Sequence, residues 1–300
     1  MVRYGQIKEG EIFKMKNVKK ILIAVMAVVL AIGCVCAFAA CNGNTAEAKV
    51  KVIDIPLTAE SYAFCIKKGD PNGIKPVADA LLAELKASGE LDNIINSFFD
   101  GTATFEYDNP ASPEGCFVVA TNAYFPPFEY YNGKKLTGVD MKIASLLAAK
   151  FNKPLYILDE DFDSIFTSVD TGEADIAMAG ITVNAARLES YDFTTEYYES
   201  AQVLVVKADD TTYDACKTAE EIEAIFKAQN KQYTIGTQNG TTGYMYCAGN
   251  EDIEYDGFTN LTTNGYKTGA LAVQDIVSGV VNAVVIDKQP AIMIAKNINK

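Results

Sequence analysis

The sequence predicts an α/β protein with parallel sheets wound on both faces. Three observations predict it. From Cys116 onward, short apolar runs alternate with stretches of helical periodicity, the pattern of strand–helix–strand units. No block of sequence repeats, which excludes a solenoid. Polar clusters suited to a small molecule follow four of the expected strands, which is where open parallel sheets bind ligands. A chain of 300 residues suffices for two modest domains with a full core.

Taken in order, Lys49–Ile55 and Tyr62–Ile66 are short β-rich runs. Ile74–Ser88 places Val77, Ala80, Leu81 and Leu85 at the helical interval, and Gly89 follows as a stop. Glu90–Phe99 is a second, shorter helix. Gly101–Gly115 is dense in turn formers and reads as a linker. FVVAT (Phe117–Thr121) is a strand. Val139–Phe151 is a helix with Met141, Ile143, Ala144, Leu147 and Ala148 along one face. Leu155–Leu158 is a strand, Phe162–Val169 a helix, and Asp175–Ala179 and Gln202–Val206 are strands. Thr218–Gln229 is a helix whose first turn, Thr218 to Glu221, has the form of a capping box. Tyr233–Ile235 is a strand, and Thr242–Cys247 starts a helix. Gly269–Ser278 (helix), Ala283–Ile286 (strand) and Gln289–Lys296 (helix) complete the chain.

The N-terminal region has a different character. Ile21–Ala40 carries no charge, follows Lys16, Lys19 and Lys20, and ends in small residues before Cys41. That is the layout of a secretory signal, with Met15 a better start than Met1. A small-residue pair before a cysteine makes Cys41 the lipidation candidate, with Cys34 a second one. The alternative is an uncleaved membrane anchor, since about twenty apolar residues span a bilayer. Either way the remainder lies outside the cytoplasm, with residues 1–40 as leader and 41–48 as tether.

Residues 1–40 hold six of the 26 Lys/Arg and two of the 39 Asp/Glu, so the rest carries a net charge of −17. This acidity excludes nucleic acid as a partner class. The chain has no histidine, so the usual general base and commonest metal ligand are missing. No metal site, cofactor or catalytic residue is expected. After Cys41 there remain Cys65, Cys116, Cys216 and Cys247, at no zinc-site spacing. They are either disulfide-paired, as export allows, or four free thiols.

The candidate site residues fall at the ends of strands. Asn122 and Phe125 follow FVVAT; Gly180, Thr182 and Arg187 follow DIAMA; Gln238 and Thr242 follow YTI; Asp287 follows NAVVI. Arg187 can grip a carboxylate bidentately, aided by Thr182 and by the N–H groups of the turn at Thr242. Asp287 can pair with an ammonium group, helped by the Gly180 carbonyl, and can also serve as a helix N-cap. Phe125 and Phe162 can sandwich a side chain, and Asn122 and Gln238 can read a polar tip. The set matches the two ends of a free amino acid.

From Lys49 to Lys300 the chain resembles the solute-binding proteins of the histidine, glutamine and lysine/arginine/ornithine kind, which feed ABC importers. The resemblance rests on Thr121, Asn122, Phe125, Pro127, Phe128 and Glu129; on the Gly180–Thr182–Arg187 pattern; and on Phe162, Thr242 and Asp287. It implies two α/β lobes with a ligand cleft between them, the periplasmic-binding-protein-like fold, closing by hinge motion. It implies a lipid-anchored, extracytoplasmic bacterial monomer. That receptor binds a free L-amino acid and passes it to an ABC transporter permease. The family often has Asp where Asn122 stands, which leans the expectation toward a polar or neutral side chain. Val52–Phe99 resembles the segment that ends the family's chains, yet here it stands first. The resemblance therefore implies a circular permutant, with lobe 1 at 57–205 and lobe 2 at 49–56 and 206–300, the alternative being a truncated or misassembled gene. The alternatives are a sensor, or a dehydratase-like enzyme sharing the scaffold.

Overall fold

The computed structural model describes residues 47–300. The leader, Cys34 and the lipidation candidate Cys41 lie outside the described residues, as does most of the tether. In chain order, the structure opens with β1 (Val50–Ile53), β2 (Glu60–Tyr62) and β3 (Cys65–Lys67), then α1 (Ile74–Ser88) and α2 (Glu90–Phe99). β4 (Phe117–Thr121) leads into β5 (Tyr124–Phe125), β6 (Glu129–Asn132), β7 (Lys135–Thr137) and α3 (Val139–Lys150). There follow β8 (Leu155–Asp159), α4 (Phe162–Thr171), β9 (Ile176–Ala177), α5 (Ala185–Ser190), β10 (Tyr191–Phe193) and β11 (Tyr198–Ser200). The remainder is β12 (Gln202–Lys207), α6 (Ala219–Lys227), β13 (Thr234–Gln238), α7 (Thr242–Ala248), β14 (Thr262–Tyr266), α8 (Gly269–Ser278), β15 (Ala283–Asp287) and α9 (Lys288–Ile298).

Ten of these strands form two five-stranded sheets, ordered β10-β3-β9-β4-β8 and β1-β12-β15-β13-β14; β11-β2 and β5-β6-β7 form two smaller ones. Each five-stranded sheet has a parallel heart, β9-β4-β8 in one and β15-β13-β14 in the other. Each also carries antiparallel strands, β3 and β10 in the first and β1 and β12 in the second. The sheets are therefore mixed, not parallel as the strand–helix alternation predicts. The extra strands arrive by chain crossings that apolar periodicity does not register.

Both sheets are covered on both faces, as continuous apolar strands require. Along β4, Phe117 and Val119 enter the core with α1, α2 and α3, while Val118 and Ala120 face α4 and its neighbours. Along β12, Val203 and Val205 pack one way and Leu204 and Val206 the other. This is the two-residue alternation of a strand buried on both sides. β12 starts at Gln202, so it lies whole within the second sheet, across the expected boundary at 205/206.

Most expected elements match to within a few residues, and the capping box at Thr218 is present in full. Three expectations need correction. Tyr62–Ile66 is not one strand: it breaks at Ala63–Phe64, β2 pairing with β11 while β3 joins the first sheet. The strand expected over Asp175–Ala179 shortens to Ile176–Ala177. Gly101–Gly115 has little regular structure but is fastened down. Tyr107 bridges Leu136, and the Asn109 side chain accepts from Ile157 N at 2.8 Å and donates to Ile157 O at 2.7 Å along the edge of β8. The four cysteines of the described residues are buried free thiols.

The chain passes between the two sheets twice, before β2 and after β11, and these passages run side by side as an antiparallel pair. β2 is also bonded to the loop beyond β9, through Ala63 N to Ile181 O at 3.1 Å and Val183 N to Ser61 O at 3.0 Å. At the far end of the second sheet the two ends of the described chain meet. Asn299 Oδ1 accepts from Lys49 N at 2.8 Å and Val50 N at 3.1 Å, and its Nδ2 donates to Val50 O at 2.9 Å.

Candidate functional site

All nine candidate ligand residues line one cavity where the two sheets face each other: Asn122, Phe125, Phe162, Gly180, Thr182, Arg187, Gln238, Thr242 and Asp287. The walls lie close together, and the cavity volume between them is only about 10 Å³. Glu129, Ala179 and Thr241 line it as well.

Arg187 sits in the first turn of α5, whose N-cap Asn184 accepts its N–H at 2.9 Å. Its guanidinium donates to Thr182 O at 2.7 Å and, across the cleft, to Gly240 O at 3.0 Å. It lies over the rings of Phe162 and Phe166, 5.5 and 5.2 Å from their centroids. Burial lowers its pKa, while Glu60, Asp287 and Asp163 act to raise it; a guanidinium keeps its charge under such a balance. Gly240 has φ +70°, and a Cβ there would meet Asp163 Oδ1 at 1.7 Å, so only glycine lets the two walls approach this closely.

Gly180 is constrained in a similar way. Its φ is +54°, and an added Cβ would meet the Phe125 ring at 2.7 Å. Its N–H donates to Asp140 Oδ2 at 3.0 Å, anchoring the loop to α3. Thr182 is turned by Glu60: its hydroxyl donates to Glu60 Oε2 at 2.7 Å, which leaves an oxygen lone pair for a ligand. Thr182 can therefore accept from an ammonium group.

Asp287 occupies the N-cap position of α9 but makes no side-chain cap bond. It accepts instead from the hydroxyl of Tyr62, with Ser200 Oγ at 3.4 Å. Burial pushes its pKa up, and Glu60 nearby adds to the rise. Asn122 uses both ends of its amide: it donates to Glu160 O at 2.7 Å and accepts from Gln238 Nε2 at 2.9 Å, another bond across the cleft. Gln238 Oε1, the Thr242 hydroxyl and both oxygens of Glu129 have no partner among the described residues.

Sequence reasoning missed Glu60, Tyr62, Glu129 and Asp140 as site components. Glu129 stands inside the motif that carries Phe125, but a glutamate after Pro-Phe has no local signature of burial. Glu60 and Tyr62 are two residues apart and so share a strand face. They lie far from the site in sequence, and only the pairing of β2 with β11 brings them in.

Asp140 is wholly buried, donated to by Tyr197 at 2.6 Å and by Gly180 N–H; burial outweighs both bonds and raises its pKa to about 7. The folded chain thus keeps a proton that the unfolded chain loses near its ordinary carboxyl pKa of about 4. Stability contributed by this group is therefore full at low pH and falls as pH rises from about 4 to about 7. Replacing Asp140 with Asn, which retains an acceptor for Gly180 N–H, is expected to flatten that decline by up to one proton. Unfolding curves from pH 4.5 to 7.5 check it, and an unchanged slope refutes the assignment.

Residues 117–290 match the bacterial extracellular solute-binding proteins, family 3. The chain is 26% identical over 188 residues to a probable histidine-binding protein of Neisseria gonorrhoeae, a match covering 62% of this chain and 64% of that relative. It thus spans less than two thirds of that relative's length. Among solved structures, it is similar to the arginine-bound, truncated ArgBP of T. maritima (28% identity, TM-score 0.52, 62% of this chain and 80% of that one). It is also similar to the ancestral amino acid-binding protein AncCDT-1, a precursor of cyclohexadienyl dehydratase (27% identity, TM-score 0.51, 61% and 74% covered).

Proposed function

The chain belongs to the bacterial extracellular solute-binding proteins of family 3, and on that premise we propose that its cleft captures a free L-amino acid for an ABC importer. The observation that carries this reading is the pairing of opposite charges in one small cavity: buried Arg187 for the α-carboxylate and buried Asp287 for the α-ammonium. The unpartnered hydroxyl of Thr242 supplies a further donor to the carboxylate. The free lone pair on Thr182 accepts from the ammonium. Phe125 and Phe162 flank the side chain. In this reading the activity is binding and release of an unaltered ligand.

In this reading the two sheets are the cores of two lobes, and the β2–β11 pair is the hinge. The Arg187–Gly240 and Asn122–Gln238 bonds are closed-state contacts that ligand entry must rearrange. The leader delivers the chain outside the cytoplasm, and Cys41 carries a lipid that holds it to the membrane beside its permease. The order of elements is circularly permuted relative to the family. Two observations support that order. The clasp of Asn299 on Lys49 and Val50 puts the chain ends where a family-order chain would run on from α9 into β1. The family match, read in chain order, starts at 117 and leaves β1 to α2 outside it.

Three outcomes are expected. In calorimetry against a panel of L-amino acids, one or a few bind and are recovered unchanged; Arg187→Ala weakens that binding by about 100-fold or more, with far-UV circular dichroism preserved. Undiminished affinity in that variant removes the carboxylate assignment. A chain rewritten in family order, running 116–300 and then 49–100, binds the same amino acid within about threefold, since cuts at surface ends are tolerated. A rewritten chain that fails to fold counts against the permutation. Cys41→Ala in cells shifts the protein out of the membrane fraction; retention there indicates lipidation at Cys34 or an uncleaved anchor instead.

A further inference from the structure

Where β2 meets the cleft walls, the hydrogens of the surrounding side chains all point one way. Glu60 is buried, and a carboxylate only accepts hydrogen bonds. Thr182 donates its hydroxyl to Glu60 Oε2 at 2.7 Å, Gln202 Nε2 donates to the same oxygen at 3.3 Å, and Thr58 donates to Oε1 at 2.5 Å. Tyr62, on the same strand face, carries a second chain of bonds. Ser200 Oγ donates to the Tyr62 hydroxyl at 3.0 Å, and that hydroxyl donates to Asp287 Oδ1.

The hydroxyl hydrogens of Thr182 and Tyr62 are thus both directed onto carboxylates. What Thr182 and Asp287 present to a ligand is oxygen lone pairs. An α-ammonium group brings three hydrogens and matches such a wall. An α-hydroxyl group brings one hydrogen and two lone pairs, so it leaves an acceptor facing an acceptor. A Thr182 hydroxyl free to rotate would donate to that oxygen and accommodate it. Glu60 prevents the rotation, although it does not itself line the cavity.

We propose that Glu60 is a positioning residue for ligand selection: by holding the Thr182 hydroxyl as an acceptor, it makes the cleft select an α-amino acid over the 2-hydroxy acid of the same side chain. This rests on the amino-acid cleft proposed above. It adds a selectivity that Arg187 cannot supply, since both ligands carry the same carboxylate. Asp287 contributes charge to the choice, and Glu60 contributes the direction of a hydrogen bond. The surroundings of Glu60 separate direction from charge. Thr182 and Gln202 both need an acceptor at Oε2, whereas the Thr58 hydroxyl can donate or accept at Oε1. In Glu60→Gln the amide therefore settles with its oxygen towards Thr182 and its NH2 towards Thr58, and the direction survives without the charge.

The test is calorimetry of the full chain with four pairs that differ only at Cα. They are L-arginine and L-argininic acid, L-histidine and L-imidazolelactate, L-phenylalanine and L-phenyllactate, and L-glutamate and L-2-hydroxyglutarate. An amino acid that binds is expected to do so about 100-fold or more tightly than its 2-hydroxy acid. Glu60→Ala, which frees the hydroxyl, is expected to shrink that ratio about tenfold, and Glu60→Gln to keep it within about threefold. In a Thr182→Val background, Glu60→Ala is expected to leave the ratio where Thr182→Val alone sets it, because both changes act through one bond. If Glu60→Ala weakens both members of a pair by the same factor, Glu60 only supports the fold and the proposal is overturned. A ratio that falls as far in Glu60→Gln as in Glu60→Ala overturns it too, since charge and not direction is then at work. Equal binding of both members by the unaltered chain overturns the selectivity and leaves the Arg187 carboxylate site standing. If no amino acid binds, here or in the wider panel above, the proposed function itself falls.

Discussion

The site depends above all on where β2 lies. It pairs with β11 on one side and is bonded to the Ile181–Val183 loop on the other, so the strand that crosses between the sheets also holds the loop carrying Thr182. Because side chains alternate along a strand, Glu60 and Tyr62 leave the same face. Glu60 meets Thr182, and Tyr62 meets Asp287. A single short strand thus orients a residue from each wall of the cleft. The crossing strand and the binding groups are therefore one hydrogen-bonded unit.

Charge is the second organising quantity, and burial gives it weight. A buried carboxylate or guanidinium is costly unless neighbours supply hydrogen bonds or opposite charge. Arg187 meets the demand with two backbone carbonyls and two aromatic faces. Asp140 meets it with a tyrosine hydroxyl and a backbone N–H. Those bonds also fix Gly180 in a conformation that only glycine adopts easily, against the ring of Phe125. Residues behind the cavity thereby set the shape of the residues that line it. Glu129 stands apart because nothing among the described residues answers it.

How far the sequence reveals this architecture follows from which interactions are local. Helices with strong periodicity and a clear stop, such as Ile74–Ser88 before Gly89, are legible to the residue. The capping box at Thr218 is legible for the same reason, since all its partners lie within one turn. The hairpin Glu129–Thr137 is not among the expected elements, although Asn132–Gly133 is a recognisable turn signal. The β2–β11 pair is invisible locally: each strand has three residues, and their partners lie over a hundred positions apart. The same holds within the site. Residues that follow strong strands were all legible, because strand ends converge on one edge of a sheet. Glu60 and Tyr62 were not, because a non-local pairing brings them in.

The proposed change in the order of elements leaves the cleft undisturbed because the site draws on strand ends, not on the ends of the described chain. Asn299 lies on the far side of the second sheet, clasped to Lys49 and Val50, and contributes nothing to the cavity. The segment joining α2 to β4 runs along the outer edge of β8, held by Tyr107 and Asn109, and lies equally apart from it. In the proposed permutation, opening the chain at the first place and closing it at the second leaves every strand pairing and both crossings intact, and only the continuity of the walls differs. The first sheet with its helices becomes one unbroken stretch from β2 to β11, while the second is assembled from β1 and from the chain after β11. β1 closes the edge of the second sheet by pairing with β12, the strand that leaves the hinge. The clasp of Asn299 on Lys49 and Val50 then ties the start of the described chain to its end.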